Sequence, residues 1–292
     1  MQIPVRLPNL LVFAFLFCNT QLAAADISVA ATIRPLQAIA QAIMQDHGTV
    51  SALISLQDSP HDYALTPGDR LAIEKADLLF WAGPEFEIRL SDVFQANIGR
   101  KRVLAATEVP GLTIHQGNDG RGDPHFWLNT HNALLIAHEL VGYLSEIEPN
   151  HGRSFQSGYR DFERQISKLE KTIDESLSPF ADVPFLVFHD AFQYFEKQFN
   201  LTAGEVLLRD PEILPSMREL LAIRHRVQRL PANCVLMDRR ANKELVSTIF
   251  ANDAPSLEIV DLFGFQVKDS AKAYLDIASG VADSFHACLT QE

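Results

Sequence analysis

Cysteine and basic residues are both scarce in this 292-residue chain, which has 3 Cys and 25 Lys+Arg against 37 Asp+Glu. The formal net charge of −12 argues against a nucleic-acid partner, which requires a basic face. The HExxH, GxSxG and P-loop signatures, which mark some hydrolases and nucleotide-binding proteins, are also missing from the sequence. The composition is otherwise that of a globular protein, with 47% apolar and 21% charged residues.

Residues 1–25 have the features of a secretory signal peptide rather than of a folded segment. Arg6 supplies the positive charge, Leu10–Phe17 forms a short apolar run, and Ala23 and Ala25 place small residues at a cleavage site before Asp26. The apolar run is too short to span a bilayer, and no later run reaches the required length. We therefore expect an exported, acidic protein that is cleaved near Ala25.

Two cysteines, Cys234 and Cys288, remain after removal of this segment. Two cysteines in an exported chain favour one disulfide, which would stabilise the fold by roughly 2–4 kcal/mol. Two buried free thiols are the alternative. A metal site at this pair is not indicated, because the two residues are far apart and no CxxC motif is present.

Short apolar runs alternate with helical patterns in both halves of the chain, which predicts an α/β fold with parallel sheets covered by helices. The predicted strands are Ile27–Thr32, Val50–Ser55, Asp77–Ala82, Val103–Ala106, Phe185–Phe188, Glu205–Leu208, Cys234–Met237 and Leu257–Val260. Helices are predicted after Thr66, over Ala191–Phe199, over Pro215–Arg229 and over Lys272–Ala287.

A long helical pattern separates the two halves. Its apolar residues recur every three or four positions, which predicts one continuous stripe: Phe155, Tyr159, Phe162, Ile166, Leu169, Ile173 and Leu177. We expect an N-terminal α/β lobe over 26–147, a rigid linking helix over 148–178 and a C-terminal α/β lobe over 179–292. A coiled-coil dimer is the alternative use of the stripe. We favour packing within one chain, and hence a monomer.

Three histidines and one aspartate lie where α/β sheets bind ligands. His189 and Asp261 follow predicted strands directly, and His61 and His125 lie in loops of the first half. Carboxyl ends of parallel strands form ligand sites, and two facing lobes would bring the four side chains together. Three imidazoles and a carboxylate suit tetrahedral Zn²⁺, whereas Mn²⁺ prefers more oxygen ligands.

Four segments closely resemble the zinc-binding proteins of bacterial ABC importers, the ZnuA-type solute-binding family. They are Ser59–Leu65 (SPHDYAL), Ala76–Glu85 (ADLLFWAGPE), Pro124–Asn132 (PHFWLNTHN) and Phe188–Phe199 (FHDAFQYFEKQF). The resemblance implies two α/β lobes joined by a rigid helix, with one metal ion between them. It also implies a periplasmic protein that is not an enzyme and that works with a membrane permease and a cytoplasmic ATPase.

By position, the resemblance assigns the three histidine ligands to His61, His125 and His189, and a carboxylate ligand to Asp261. It also matches Cys234 and Cys288 to a disulfide found in part of the family. At two places the sequence departs from the family pattern, and each departure adds a candidate metal ligand. The His-rich loop of many members is short here and leaves His115 as an auxiliary ligand, and an altered segment after Met237 makes Asp238 a reserve carboxylate.

The predicted function is high-affinity periplasmic zinc binding and delivery to an ABC-type importer. The alternatives are manganese or another divalent ion as the cargo, an exported zinc hydrolase, and an adhesion module.

Overall fold

The computed structural model describes residues 27–55, 58, 63–117, 120–209, 211, 213–250 and 255–291. In the first half, the strands and helices are β1 (Ile27–Ala31), α1 (Arg34–Met44), β2 (Gly48–Ala52), α2 (Pro67–Lys75), β3 (Leu78–Trp81), α3 (Ile88–Gln95), β4 (Arg102–Ala105) and α4 (Thr130–Ile147). In the second half, they are α5 (Gly152–Leu177), β5 (Leu186–His189), α6 (Gln193–Gln198), β6 (Glu205–Leu208), α7 (Met217–Val227), β7 (Cys234–Asp238), α8 (Lys243–Phe250), β8 (Ser256–Val260) and α9 (Ala273–Leu289).

The two halves form two parallel four-stranded sheets with the same strand order. The first sheet has the order β2-β1-β3-β4 and the second has the order β6-β5-β7-β8. In each sheet the strand order reverses between two neighbouring parallel strands, β1 and β3 in the first sheet and β5 and β7 in the second. The connections that leave these two strands run toward opposite edges of the sheet. Such a switch point opens a crevice at the carboxyl ends of the strands. The predicted α/β fold with two lobes is confirmed.

Apolar sequence explains which strands are central. Strands β3, β5 and β7 are buried at every position, as expected for strands covered by helices on both faces. Edge strand β2 is half-buried or exposed throughout, so its apolar pattern is weak.

Strand β2 begins at Gly48, two residues before the predicted start, because Gly48 pairs with Ile27 in β1. Only glycine fits there, since a Cβ would lie 2.2 Å from the Ile27 carbonyl oxygen.

Helix α5 joins the lobes and packs on both of them. Its 26 residues correspond to about 39 Å of helix. The predicted stripe faces the core, with Phe155, Phe162, Ile166, Ile173 and Leu177 buried. Helices α1 and α4 of the first lobe and α9 of the second lobe all contact α5. The stripe is therefore used within one chain, as we predicted.

A disulfide joins Cys234 and Cys288, with their Cα atoms 5.4 Å apart. It ties the start of β7 to the end of α9, and both cysteines are buried. The predicted pairing is confirmed over the alternative of two free thiols.

Among the described residues, no helix is long and apolar enough to cross a membrane. The predicted signal peptide over 1–25 and its cleavage site before Asp26 lie outside the described residues.

Candidate metal centre

His125 is held rigidly in the first lobe, in the segment that leads into α4. Its backbone N–H donates to Asp123 Oδ1 at 2.9 Å, and its ring Nδ1 lies 2.8 Å from the same oxygen. Both residues are buried, with 4% of His125 and 1% of Asp123 exposed. Because Nδ1 is engaged by the carboxylate, a metal ion would be coordinated through Nε2, the arrangement common to metal-binding histidines.

His189 is the last residue of β5 and lies at the switch point of the second sheet. Strands β5 and β7 pair Leu186 with Val235 and Val187 with Leu236, so the same register brings His189 level with Asp238. Its Nδ1 lies 3.3 Å from Asp238 Oδ2. The Arg240 backbone N–H donates to Asp238 Oδ1 at 2.8 Å and orients that carboxylate. A carboxylate therefore lies beside Nδ1 of both histidines, in hydrogen-bond geometry at His125 and at ion-pair distance at His189.

The two imidazole rings meet between the lobes. Their centroids are 5.5 Å apart with an interplanar angle of 58°. Only 4% of His125 and 8% of His189 is exposed, so the pair lies deep in the crevice. Trp127 packs edge-on against His125 at 5.4 Å and restricts that ring further. Two oriented imidazoles from opposite lobes are suited to bind one metal ion of borderline softness.

Electrostatics support the charged form of the carboxylate behind His125. Burial raises the pKa of Asp123, but the charge and hydrogen bonds of His125, together with a side-chain bond from Gln193, outweigh burial and lower the pKa below its usual range. Asp123 therefore stays ionised at neutral pH. A carboxylate hydrogen-bonded to Nδ1 fixes the tautomer of the imidazole and makes Nε2 a stronger electron-pair donor to a cation.

Tyr194 of α6 links the short loop of the first lobe to the second lobe. Its hydroxyl donates to the Asp123 carbonyl oxygen at 2.8 Å and accepts from the His115 N–H at 3.0 Å. The His115 ring lies 4.6 Å from the Tyr194 ring. Burial and the nearby Lys197 lower the pKa of His115, although Asp123 partly opposes them. A histidine that is neutral at physiological pH remains competent as an auxiliary ligand.

The other predicted ligands are not part of this pair. His61 lies outside the described residues. The carboxylate of Asp261 accepts two backbone hydrogen bonds, from Phe265 at 2.8 Å and from Gln266 at 3.0 Å, and so caps the turn after β8. In the part of the chain that the structure describes, no three His, Cys, Asp or Glu side chains form a group that could hold a metal ion. The structure thus assembles two of the four predicted ligands.

Asp123 is the residue that sequence reasoning missed. It stands in Asp123-Pro124-His125, and proline cannot donate a backbone hydrogen bond. An acid two residues before a candidate ligand is able to bond both the backbone and the ring of that ligand, as observed here. The Asp-Pro-His triplet was therefore a usable local signal. Asp238 was recognised as a carboxylate near the site, but its contact with His189 depends on pairing between distant strands.

The fold and the paired imidazoles together define a class, two-lobed binding proteins whose ligand site for a metal ion lies between the lobes. The chain belongs to the family described as zinc-uptake complex component A, periplasmic, whose model matches residues 29–288.

Individual relatives agree with this assignment over nearly the whole chain. A high-affinity zinc uptake system protein ZnuA of Brucella suis is 28% identical, with 94% of this chain and 95% of that protein covered. The protein of the same name from Yersinia pestis is 27% identical, with 91% and 92% covered.

Solved structures share the two-lobed fold at lower identity. The periplasmic zinc-binding protein TroA of Treponema pallidum superposes with a TM-score of 0.79 at 19% identity, covering 91% of this chain and all of that one. A crystal structure of ZnuA also gives a TM-score of 0.79, at 20% identity, with 90% of this chain and 99% of that chain covered.

Proposed function

We propose that this chain is a high-affinity periplasmic zinc-binding protein that delivers Zn²⁺ to an ABC-type importer consisting of a membrane permease and a cytoplasmic ATPase. The observation that carries the proposal is the pair His125 and His189, one from each lobe, with a buried carboxylate beside the Nδ1 atom of each ring. Relatives named as high-affinity zinc uptake proteins support zinc as the cargo.

The proposed ligands are His61, His125 and His189, with Asp261 as the fourth. Imidazole nitrogens favour zinc over manganese, which prefers oxygen ligands. With four protein ligands the ion has no open coordination position, so it is carried as cargo and does not act as a catalyst. Asp123 and Asp238 are proposed to orient the histidines rather than to bind the ion themselves, since each already contacts an Nδ1 atom.

A chelator-competition titration tests the cargo. The metal-free chain beginning at Asp26 is titrated with Zn²⁺ and with Mn²⁺ at neutral pH. We expect one zinc ion per chain with a dissociation constant in the nanomolar range or below, and much weaker binding of manganese. Weak zinc binding or a preference for manganese would refute zinc as the cargo.

Ligand variants test the site. Replacing His61, His125 or His189 by alanine is expected to weaken zinc binding by at least about 100-fold, because one of very few ligands is lost. The matched control is His47→Ala. The His47 ring stacks on His151 at 4.4 Å. His47 directly precedes β2, so it lies at the amino ends of the strands, whereas the candidate site lies at their carboxyl ends. Unchanged affinity in a ligand variant, or in Asp261→Ala, removes that residue from the proposed set.

A further inference from the structure

The turn after β8, residues 261–269, is held against the first lobe by an arginine. Arg34 is the first residue of α1, and it donates through Nε to the Gly264 carbonyl oxygen at 2.9 Å and through Nη2 to the Val267 carbonyl oxygen. Its Nη1 atom lies 2.7 Å from Asp269 Oδ1. All three partners belong to the second lobe, so one side chain binds the first lobe to a short segment of the other.

The position of Arg34 is not explained by its own helix. The positive end of the helix dipole lies at the first turn of α1, where it disfavours a cation. That turn has no acidic residue, and Ile33, which precedes it, has an apolar side chain that cannot cap it. Only 12% of the Arg34 side chain is exposed, and a charge removed from water is costly unless it is paired and hydrogen-bonded. The acceptors in the second lobe therefore compensate a charge that α1 alone would not favour.

The turn bound by Arg34 contains the candidate ligand Asp261. The Asp261 carboxylate accepts from the backbone N–H groups of Phe265 and Gln266. The two carbonyl oxygens bound by Arg34 belong to the residues on either side of that pair. An anion thus binds the N–H groups of the turn while a cation binds its carbonyl groups. Because both sets of groups belong to the same short backbone, a shift of the turn away from Arg34 also displaces the donors that orient the Asp261 carboxylate.

The start of the turn is bound to the first lobe as well. The Trp127 Nε1–H donates to the Leu262 carbonyl oxygen at 3.2 Å, and the Trp127 ring lies 5.1 Å from the Phe263 ring. Trp127 also packs edge-on against the candidate ligand His125. With Arg34 at its other end, the turn is therefore attached to the first lobe at both ends.

We propose that Arg34 is a positioning residue for zinc binding that acts through Asp261: it holds the turn after β8 against the first lobe and so keeps the Asp261 carboxylate in one orientation at the boundary between the lobes. An arginine suits this task because its planar guanidinium presents several N–H groups in fixed directions, so it binds two carbonyl oxygens and a carboxylate at once. The inference rests on the proposed function for its effect on zinc. Its effect on the turn does not require that function.

The first test measures hydrogen exchange of backbone amides in the metal-free protein. In Arg34→Ala, the amides of residues 264–267 are expected to exchange at least about tenfold faster, since loss of hydrogen bonds from a charged group has about this effect. The matched control is Arg226→Ala. Arg226 also pairs with a carboxylate, that of Glu205 at 2.7 Å, and donates to a carbonyl oxygen, that of Val206, but within the second lobe. Equal exchange rates for these amides in the two variants would overturn the proposal.

The second test measures zinc binding by chelator competition in the wild type, Arg34→Ala, Asp261→Ala and the variant with both substitutions. Arg34→Ala is expected to weaken zinc affinity by about tenfold, the lower end of the effect of residues that support metal ligands. In the Asp261→Ala background, the same substitution is expected to change zinc affinity by less than about twofold, because the carboxylate through which Arg34 acts is absent. Arg226→Ala is expected to match the wild type. Losses of affinity that add in the double variant would overturn action through Asp261.

The outcomes separate this proposal from the proposed function. If the wild type binds no zinc, the proposed function fails, while the exchange comparison still tests whether Arg34 holds the turn. If Arg34→Ala exchanges faster at residues 264–267 but binds zinc as the wild type does, its role in zinc binding is refuted. If Arg34→Ala does not fold, Arg34→Lys decides. A lysine keeps the charge but loses the planar fork, so its exchange and zinc affinity are expected to depart from those of the wild type in the same directions. Wild-type exchange and affinity in Arg34→Lys would then overturn the proposal.

Discussion

Replacing Gly158 by alanine tests how closely α5 packs between the lobes. Gly158 lies on the buried face of α5, and a Cβ atom placed there would lie 2.4 Å from the Ile43 carbonyl oxygen and 3.2 Å from the Ala42 carbonyl oxygen. Both acceptors belong to the backbone of α1, which cannot move aside as a flexible side chain does. Since a Cβ essentially never approaches such an atom within 3.0 Å, α1 and α5 must separate by about 0.6 Å.

Two opposing effects set the size of the change. Alanine favours a helix over glycine by about 1 kcal/mol. Overpacking of a buried contact costs about 1–3 kcal/mol, and a rigid backbone partner places this site at the upper end. The separation also loosens the packing of Phe155 and Phe162, which lie on the same face. We expect Gly158→Ala to lower the free energy of unfolding by about 1–2 kcal/mol.

Urea unfolding of the metal-free protein measures this effect against a matched control. Gly142 lies in α4, and nothing lies within 4 Å of a Cβ built there, so Gly142→Ala is expected to raise the free energy of unfolding by about 0.5–1 kcal/mol. The two variants make the same chemical change in a helix and are predicted to shift stability in opposite directions. If Gly158→Ala stabilises the protein as Gly142→Ala does, then α1 and α5 do not pack as closely at Gly158 as the structure indicates.

Three further predictions concern charge, the disulfide and the metal centre. Burial raises the pKa of Glu87 from 4.5 to about 7, so stability that is present below pH 4.5 is lost as the pH rises through 7. In Glu87→Gln, this fall in the free energy of unfolding is expected to be smaller by about 3 kcal/mol. Urea unfolding at pH 5 and pH 8 measures this, and an identical pH dependence in both proteins contradicts it. Replacing Cys234 and Cys288 by serine is expected to lower the free energy of unfolding by about 2–4 kcal/mol, provided the wild type is kept oxidised. Asp123→Ala is expected to weaken zinc binding by about 10–100-fold in the competition titration, and an unchanged constant would remove its role in orienting His125.

Elements that bury continuous or periodic apolar sequence could be predicted from the chain alone. Strand β6 was predicted with the bounds that the structure gives, and the stripe of α5 faces the core as its spacing required. Helix α2 begins where predicted, since Thr66 caps it in a reciprocal pair with Asp69. These features depend on interactions among residues close in sequence or on a single buried face, and both leave a visible pattern.

Elements with little buried surface escaped prediction. Helices α3 and α8 were not predicted, and each buries only two side chains among its described residues, Leu90 and Phe94 or Val246 and Ile249. Helix α6 is also shorter than predicted and spans Gln193–Gln198. In each case tertiary packing decides the outcome, because the local sequence favours no single conformation strongly.

The candidate site could also be predicted from the sequence only in part. His189 stood out in the sequence at the end of a predicted strand and His125 in a loop of the first half, and the structure brings their rings together. Their carboxylate partners were not assigned. The contact between His189 and Asp238 requires β5 and β7 to be neighbours in the right register, although two helices and a strand separate them in the chain. Assignment of His61 and Asp261 as ligands stays a prediction.

The joining helix also bears on how such a protein changes over evolutionary time. Because α1, α4 and α9 all pack on α5, the separation between the two imidazoles is maintained by apolar side chains remote from either ring. Loss of a single methylene in that buried stripe is expected to change the spacing of the two rings without touching a polar residue, since close-packed cores transmit small volume changes. If the two histidines bind the ion as proposed, substitutions in the core far from them are therefore expected to alter the preference among ions.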